Sequence, residues 1–279
     1  MRVCRRVLLA FLLVLILAVL LCLRMILRIV PFGIFPAKLP PGEIDWSQYA
    51  YCQYVTNEHY LCNSVMIFEA LHMVGAKASR VMMYPSNWNI TADNEIGKLV
   101  RQIQARYNVQ LSPIEVQHSH TGEPTWADSF TKMLAFNQTQ LKRVLSLDSD
   151  ATVLKSMDEL FHMPSAPVAM PRAYWLNNTL SSQLILVEPS RFEFQCILAA
   201  FKSRSSDAFD MEIVNDLYGS NCIIIPHRKY DLFTGEFRAR NHQDYLGSQE
   251  ETWDPEKVLD EADSHTLHFS TLHLAIALA

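Results

Sequence analysis

Several common signatures are missing from this 279-residue sequence. No CxxC pair occurs among Cys52, Cys62, Cys196 and Cys222, the cysteines beyond residue 30, which argues against a zinc site. All four stand in apolar contexts. Buried free thiols and disulfides of an oxidising lumen, with three possible connectivities, both stay open. There is no internal repeat, and no low-complexity tract beyond residues 31–45 (PFGIFPAKLPPGEID). Positive charge is scarce where it would matter. Residues 1–30 hold five of the 24 Lys and Arg and none of the 29 Asp and Glu, so the remainder stands at −10. Such a domain is a poor non-specific nucleic-acid binder, and meets an anionic substrate only through a metal ion or a few placed basic residues.

Charge is absent altogether from Val7 to Leu23 (VLLAFLLVLILAVLLCL), between Arg2, Arg5 and Arg6 on one side and Arg24 and Arg28 on the other. A run of about 17 apolar residues is the lower limit for a bilayer span, and flanking arginines can snorkel. No small-x-small cleavage site follows, so an uncleaved anchor is expected rather than a signal peptide. The arginine balance favours a cytosolic N-terminus. The expected organisation is a cytosolic tail at 1–6, an anchor at 7–30, a proline-rich stem at 31–49 and a luminal domain at 50–279. Asn89, Asn137 and Asn177 each begin an Asn-x-Ser/Thr triplet, which a lumen would make usable.

In the domain, short apolar runs alternate with helical patterns. Strands are expected at 50–56, 79–85, 109–116, 142–147, 183–189 and 221–226. Helices are expected at 61–74, 93–107, 126–138, 190–202 and 208–218. Alternation of this kind implies an α/β fold with a mostly parallel sheet covered on both faces, and such sheets bind ligands beyond the carboxyl ends of their strands.

Asp148-Ser149-Asp150 falls at such an end, after the apolar strand KRVLSL. In extended backbone, i and i+2 point to one side, so the two carboxylates can converge. They repel unless a cation or a proton intervenes, and a hard divalent cation there could hold a diphosphate leaving group. A solvated acidic turn is the plain rival. An EF-hand loop counted from Asp148 matches at Asp150, Thr152 and Glu159, but fails at Val153, where glycine is needed.

The segment LDSDATVLKSMDELF resembles the metal-binding segment of the glycogenin-like retaining glycosyltransferases. Five others resemble that family in the same order: YVTNEHYLCNSVMIFEALH, FTKML, LILVEPS, DAFDMEIVND and IIIPHRKYDLFTGEFR, the last typical of fungal members. The resemblance implies a single GT-A (Rossmann-like) nucleotide-sugar-binding domain behind the transmembrane helix. It implies Mn2+ held by Asp148, Asp150 and His268. Thr56, Asn57 and Tyr60 would hold the uridine, with Ser149 a further substrate contact. Lys132 would neutralise phosphate, Asp210 would stand beside the reacting sugar carbon, and Asp207 would bind sugar. On the residues alone, Tyr60 reads equally as a helix-start aromatic, Lys132 as a solvated helix lysine and Asp210 as a cap.

Ser181-Ser182-Gln183 stands where the family often carries Asn-Ser-Gly, and residues 271–279 (TLHLAIALA) lack the Lys-Pro-Trp of the fungal pattern. The resemblance implies a Golgi type II membrane enzyme that moves a sugar, N-acetylglucosamine favoured, from a UDP-sugar to a glycan acceptor, with retention. The alternative is a silent, anchored family member that binds nucleotide sugar or a partner enzyme. The tail adds the expectation that UDP binds through Asp148, Asp150 and His268 but turns over slowly or not at all.

Overall fold

The computed structural model describes residues 43–116, 129–176, 179–205 and 208–262, with the backbone of 266–268. The chain divides into two units, Met1–Asp45 and Trp46–Ala279. Only 43–45 of the first are described, and the α/β fold belongs to the second. The expected anchor lies outside the described residues, and among those described no helix is long and apolar enough to cross a membrane.

The main sheet has seven strands: β1 (Tyr49–Tyr54), β2 (Ser79–Pro85), β3 (Val109–Ile114), β4 (Arg143–Leu147), β6 (Val168–Pro171), β7 (Leu184–Val187) and β8 (Ile223–Ile225). Their order is β3-β2-β1-β4-β7-β6-β8. β7 runs antiparallel to both neighbours, and the other pairs are parallel. The mostly parallel α/β sheet expected from the alternation is therefore present. A small second sheet joins β5 (Ala151–Val153), β10 (Thr266–His268) and β9 (Leu232–Phe233).

The central strands read as unbroken apolar runs because both faces are covered. Tyr49, Tyr51, Leu145 and Leu147 enter one core cluster with Phe68, Leu71 and Ile103. Ala50, Cys52 and Val144 enter another with Val81, Met83 and Ala135. A third lies under β6 and β7, where Phe130, Phe136, Ile185 and Ile213 meet. Truncating one of these fully buried side chains to alanine costs about 2–5 kcal/mol.

Helix α1 (Glu58–Met73) follows β1, and Asn57 starts it by accepting from the backbone N–H groups of His59 and Tyr60. It stops at Gly75, whose φ of +70° suits glycine. Helix α2 (Glu95–Tyr107) is capped by Asn94 and ends at Asn108 in the left-handed region. Ser190 caps α3 (Arg191–Ser203), and α4 (Asp210–Tyr218) follows.

Three expectations need correction. The helix expected at 126–138 is a 3-10 segment, Ser129–Asn137. The four-residue β6 was not foreseen, nor were the two- and three-residue strands of the small sheet. The cysteines are free thiols among the described residues, but only Cys52 is fully buried and Cys62 is exposed, so apolar sequence context misjudged that helix position.

Candidate active site

β4 carries the site. Its five residues are all buried, and it delivers Asp148 beyond the carboxyl ends of its parallel neighbours. There the chain turns: the Ala151 N–H donates to the Asp148 carbonyl at 3.1 Å, and the Asp148 N–H donates to the Gln183 carbonyl at 3.0 Å. The two aspartates thus sit in a tight turn and not in the extended segment expected, which corrects the i, i+2 argument. They remain electrostatically linked, since Asp150 adds to the rise of Asp148 and both act on Tyr54.

Lys132 stands among the acids. Phe130, Met133 and Phe136 anchor its 3-10 segment in the core, and the lysine is only 5% exposed. Its Nζ lies 2.6 Å from Asp148 Oδ1 and 3.0 Å from Asp210 Oδ2. It is therefore no solvated helix lysine. Asp210 opens α4, yet its carboxylate serves no helix cap. It accepts from the Ser182 hydroxyl at 2.6 Å and pairs with Lys132. The cap of α4 is made instead by Glu212, which accepts from the Phe209 N–H at 2.9 Å. Tyr54, at the end of β1, donates to Asp148 Oδ1 at 3.2 Å, and Ser149 donates to the Tyr54 carbonyl at 2.9 Å.

The charges do not balance. Burial works against the Lys132 ammonium, but Asp148 and Asp210 outweigh it and hold it charged. Burial also works against Asp210, and Lys132 with the serine hydroxyls outweighs that, so its carboxyl lies below the usual range. Asp148 is pushed up to about 7, by burial first, with Asp150 and Asp210 adding to the rise against Lys132. Burial raises Asp150 too. Asp231 is fully buried next to Ser181 and is pushed up to about 7 by desolvation, with Asp148 adding to it. One cation thus faces Asp148, Asp150 and Asp210, an excess of two negative charges if all three ionise.

That excess is the test of fit for a divalent cation. Two desolvated carboxylates at the strand end offer hard oxygen donors, and a small divalent cation completes its shell with water or phosphate oxygens. No cluster of three candidate ligands occurs among the described residues. The His268 side chain lies outside them, but its backbone pairs with Ala151, next to Asp150. Asp148 and Asp150 fit the ion.

The remaining expected residues divide. Thr56 sits at the β1–α1 junction, and its hydroxyl is buried with no hydrogen-bond partner among the described residues. Asn57 commits its side-chain oxygen to the cap of α1, and Tyr60 packs, half-buried, on the core. None of these three joins the Lys132 cluster. Asp207 lies outside the described residues. Tyr54, Ser182 and Asp231 were not foreseen. Ser182 belongs to the very triplet that departs from the family pattern, and there it orients Asp210 and offers its carbonyl to Lys132 at 3.4 Å.

Comparison with known proteins follows from this geometry. No protein-family model matches the chain. Over 237 residues it is 53% identical to a Gibberella zeae protein named glucose N-acetyltransferase 1, covering 81% of this chain and 52% of that protein. An Aspergillus fumigatus protein of the same name is 43% identical over 248 residues, covering 82% of this chain and 64% of its own length. The chain thus spans about half to two thirds of these relatives. Glycogenin of Neurospora crassa is 23% identical over 172 residues, 59% of this chain and 24% of glycogenin. Among solved structures, the glycosyltransferase GlyE of Streptococcus pneumoniae superposes with a TM-score of 0.56 at 12% identity, covering 81% of this chain and 55% of that one. LgtC, solved with donor and acceptor sugar analogues, gives 0.54 at 10%, covering 78% and 86%. These likenesses give the fold, the GT-A α/β type. In sequence the chain is similar to the fungal proteins named glucose N-acetyltransferase 1 and, more distantly, to glycogenin.

Proposed function

We propose that the protein is a retaining glycosyltransferase that moves a sugar, N-acetylglucosamine in the favoured case, from a UDP-sugar to a glycan acceptor. Read literally, the name of its fungal relatives describes acetyl transfer to glucose. An acid-rich edge that can take a divalent cation beside one buried lysine suits a diphosphate leaving group at the reacting centre, whereas acetyl transfer from a thioester expels a thiolate remote from any diphosphate, and that observation carries the proposal.

In this reading Asp148 and Asp150, with His268, hold a divalent cation, Mn2+ in the favoured case. When bound, the ion stabilises negative charge on the departing diphosphate. Lys132 supplies a second, fixed positive charge close to the same phosphate. The buried Thr56 hydroxyl and the Tyr60 ring are candidates for the uridine, with Asn57 and Ser149 as lesser contacts. Asp210, held ionised by Lys132 and Ser182, is suited to face positive charge developing at the anomeric carbon, or to attack it in a double displacement. An ionised carboxylate is a poor proton donor, so acid assistance is not its part. Asp207 is proposed as its sugar-binding companion.

We further propose anchorage by residues 7–30 with the domain in the Golgi lumen. The uncharged run from Val7 to Leu23 supports it, and so do Asn89 and Asn137, which are exposed as glycan acceptors must be. Resistance to carbonate extraction and a mass loss on glycosidase treatment are the expected results.

The deciding experiment is UDP release over a panel of UDP-sugars, with and without Mn2+ and with glycan acceptors. One donor should stand out, only with the ion present. No release from any UDP-sugar, together with acetyl transfer from acetyl-CoA, would sink the proposal.

A further inference from the structure

β6 and β7 are antiparallel, so the loop between them lies over the carboxyl edge of the sheet, the edge that holds the acids. The hairpin is laced by Ser181 N–H donating to the Pro171 carbonyl and Ala173 N–H donating to the Thr179 carbonyl, both at 2.9 Å. One arm ends at Ser182, in contact with Asp210. The other carries Trp175.

We infer that Trp175 is a platform for the acceptor glycan, on which a sugar ring behind the reacting one stacks. The inference rests on the glycosyl-transfer reading and adds an acceptor subsite to it. Trp175 is 36% exposed although it is the largest side chain of the loop. Phe233 stacks on it at 5.3 Å between centroids and 28° between planes, and Tyr174 meets it edge-on at 5.0 Å. The support behind is rigid. The Tyr174 hydroxyl donates to Glu236 Oε2 at 3.3 Å, Glu236 Oε1 pairs with His242 Nδ1 at 2.8 Å, and His242 stacks on Trp253 at 3.9 Å.

The chemistry selects a carbohydrate. A pyranose has an apolar C–H face and a hydroxyl rim, which suits a flat, partly exposed indole backed by a stacked Phe233 ring. A protein partner needs about 1,000 Å² or more of buried surface and about 20–30 residues a side, whereas among the described residues this aromatic group exposes Trp175, Leu176 and, against Trp253, Phe237. The position selects the acceptor and not the donor. Phe233 is two residues beyond Asp231, which is buried beside Ser181. Counted along the hairpin, Trp175 is roughly 10–15 Å from Ser182, about the span of two or three sugar rings. The acceptor is accordingly an oligosaccharide, and its second or third ring is the one recognised.

Binding can be read without turnover. Monosaccharide methyl glycosides and linear di- to tetrasaccharides of mannose, glucose and N-acetylglucosamine are titrated into the full chain by ligand-observed NMR. The protein carries Asn177→Gln, so that a glycan at that triplet does not compete. An oligosaccharide should bind more tightly than its monosaccharide. Trp175→Ala should weaken it about tenfold, and Trp175→Phe should recover most of the loss. UDP affinity should hold in both variants, and Phe192→Ala, exposed at the opposite edge of the sheet, should change nothing. Absence of oligosaccharide binding, or equal binding by Trp175→Ala, overturns the inference. Glycan binding at Trp175 in a protein that turns over no UDP-sugar overturns the proposed function and leaves the platform standing.

Discussion

Two buried cations stand at opposite ends of β4, and they are not alike. Arg143, at the amino end, is 6% exposed, and Lys132, at the carboxyl end, is 5% exposed. Every direction of the Arg143 guanidinium is answered. Nε and Nη2 donate to Glu188 Oε1 at 2.9 and 2.6 Å, Nη1 donates to the Phe161 carbonyl at 3.1 Å, and Nη2 also donates to the Pro164 carbonyl at 3.0 Å. One charge meets one charge, and neutral carbonyls finish the shell. Lys132 instead pairs with two carboxylates and acts on a third, Asp150, and burial first, then the neighbouring acids, push Asp148 up to about 7. Burial of a charge is common to both ends. Imbalance distinguishes the end proposed to bind a ligand from the end whose charge is fully paired.

The comparison breaks most sharply under mutation. Asp210→Ala should abolish transfer, a loss of at least about a thousandfold, while UDP and Mn2+ affinities stay near wild type. Single-turnover assays beside calorimetry separate the two, and normal turnover would return Asp210 to a structural role. Arg143→Leu should do the reverse. It strands the Phe161 and Pro164 carbonyls and one glutamate, costing about 3 kcal/mol of stability by urea denaturation, with kcat little changed in the protein that remains folded. A collapse of kcat with intact stability would erase the distinction between the two ends.

A smaller effect sharpens it. Asp231 titrates near 7 in the fold against 3.8 in the free side chain. For a carboxyl raised by folding, the contribution is complete below pH 4 and is lost as pH climbs through 7. Asp148 acts with the same sign. The metal-free protein should therefore lose stability between about pH 4 and 7. Asp231→Asn should flatten that slope and raise stability at pH 8 by about 1–2 kcal/mol. A stability curve rising over that interval in both proteins would contradict the charge surplus.

How much of this could be read from sequence depended on periodicity and on length. β1, β2 and β4 were legible because strands buried on both faces read as largely apolar runs. β6 is four residues after a Pro-Ser-Ala-Pro stretch, and β5, β9 and β10 have two or three residues each, too few to show a period. The 3-10 segment has the apolar content of a helix but the hydrogen bonding of a tighter turn. In the site, the Asp148–Asp150 pair was legible by position, while Lys132 and Asp210 were ambiguous as single residues and gained meaning only from the order of motifs. Tyr54 stands inside an expected strand with nothing in its local sequence to single it out. Asp231 carried at most a weak signal, an acid between Tyr230 and the apolar Leu232-Phe233, directly after the basic run His227-Arg228-Lys229. Ser182 was noticed as a departure, and its contact with Asp210 is set by a hairpin that local sequence does not announce.

The central claim is that the carboxyl end of β4 is short of positive charge, and that a divalent cation together with a nucleoside diphosphate makes it good. Calorimetric titration of UDP into the full chain, with Mn2+ and with chelator, tests this most directly. The expected result is at least tenfold tighter binding with the ion, a gain lost in Asp148→Asn. Equal UDP affinity with and without Mn2+ in the wild type would mean that the acids form a balanced turn, and the role assigned to Lys132 would fall with it.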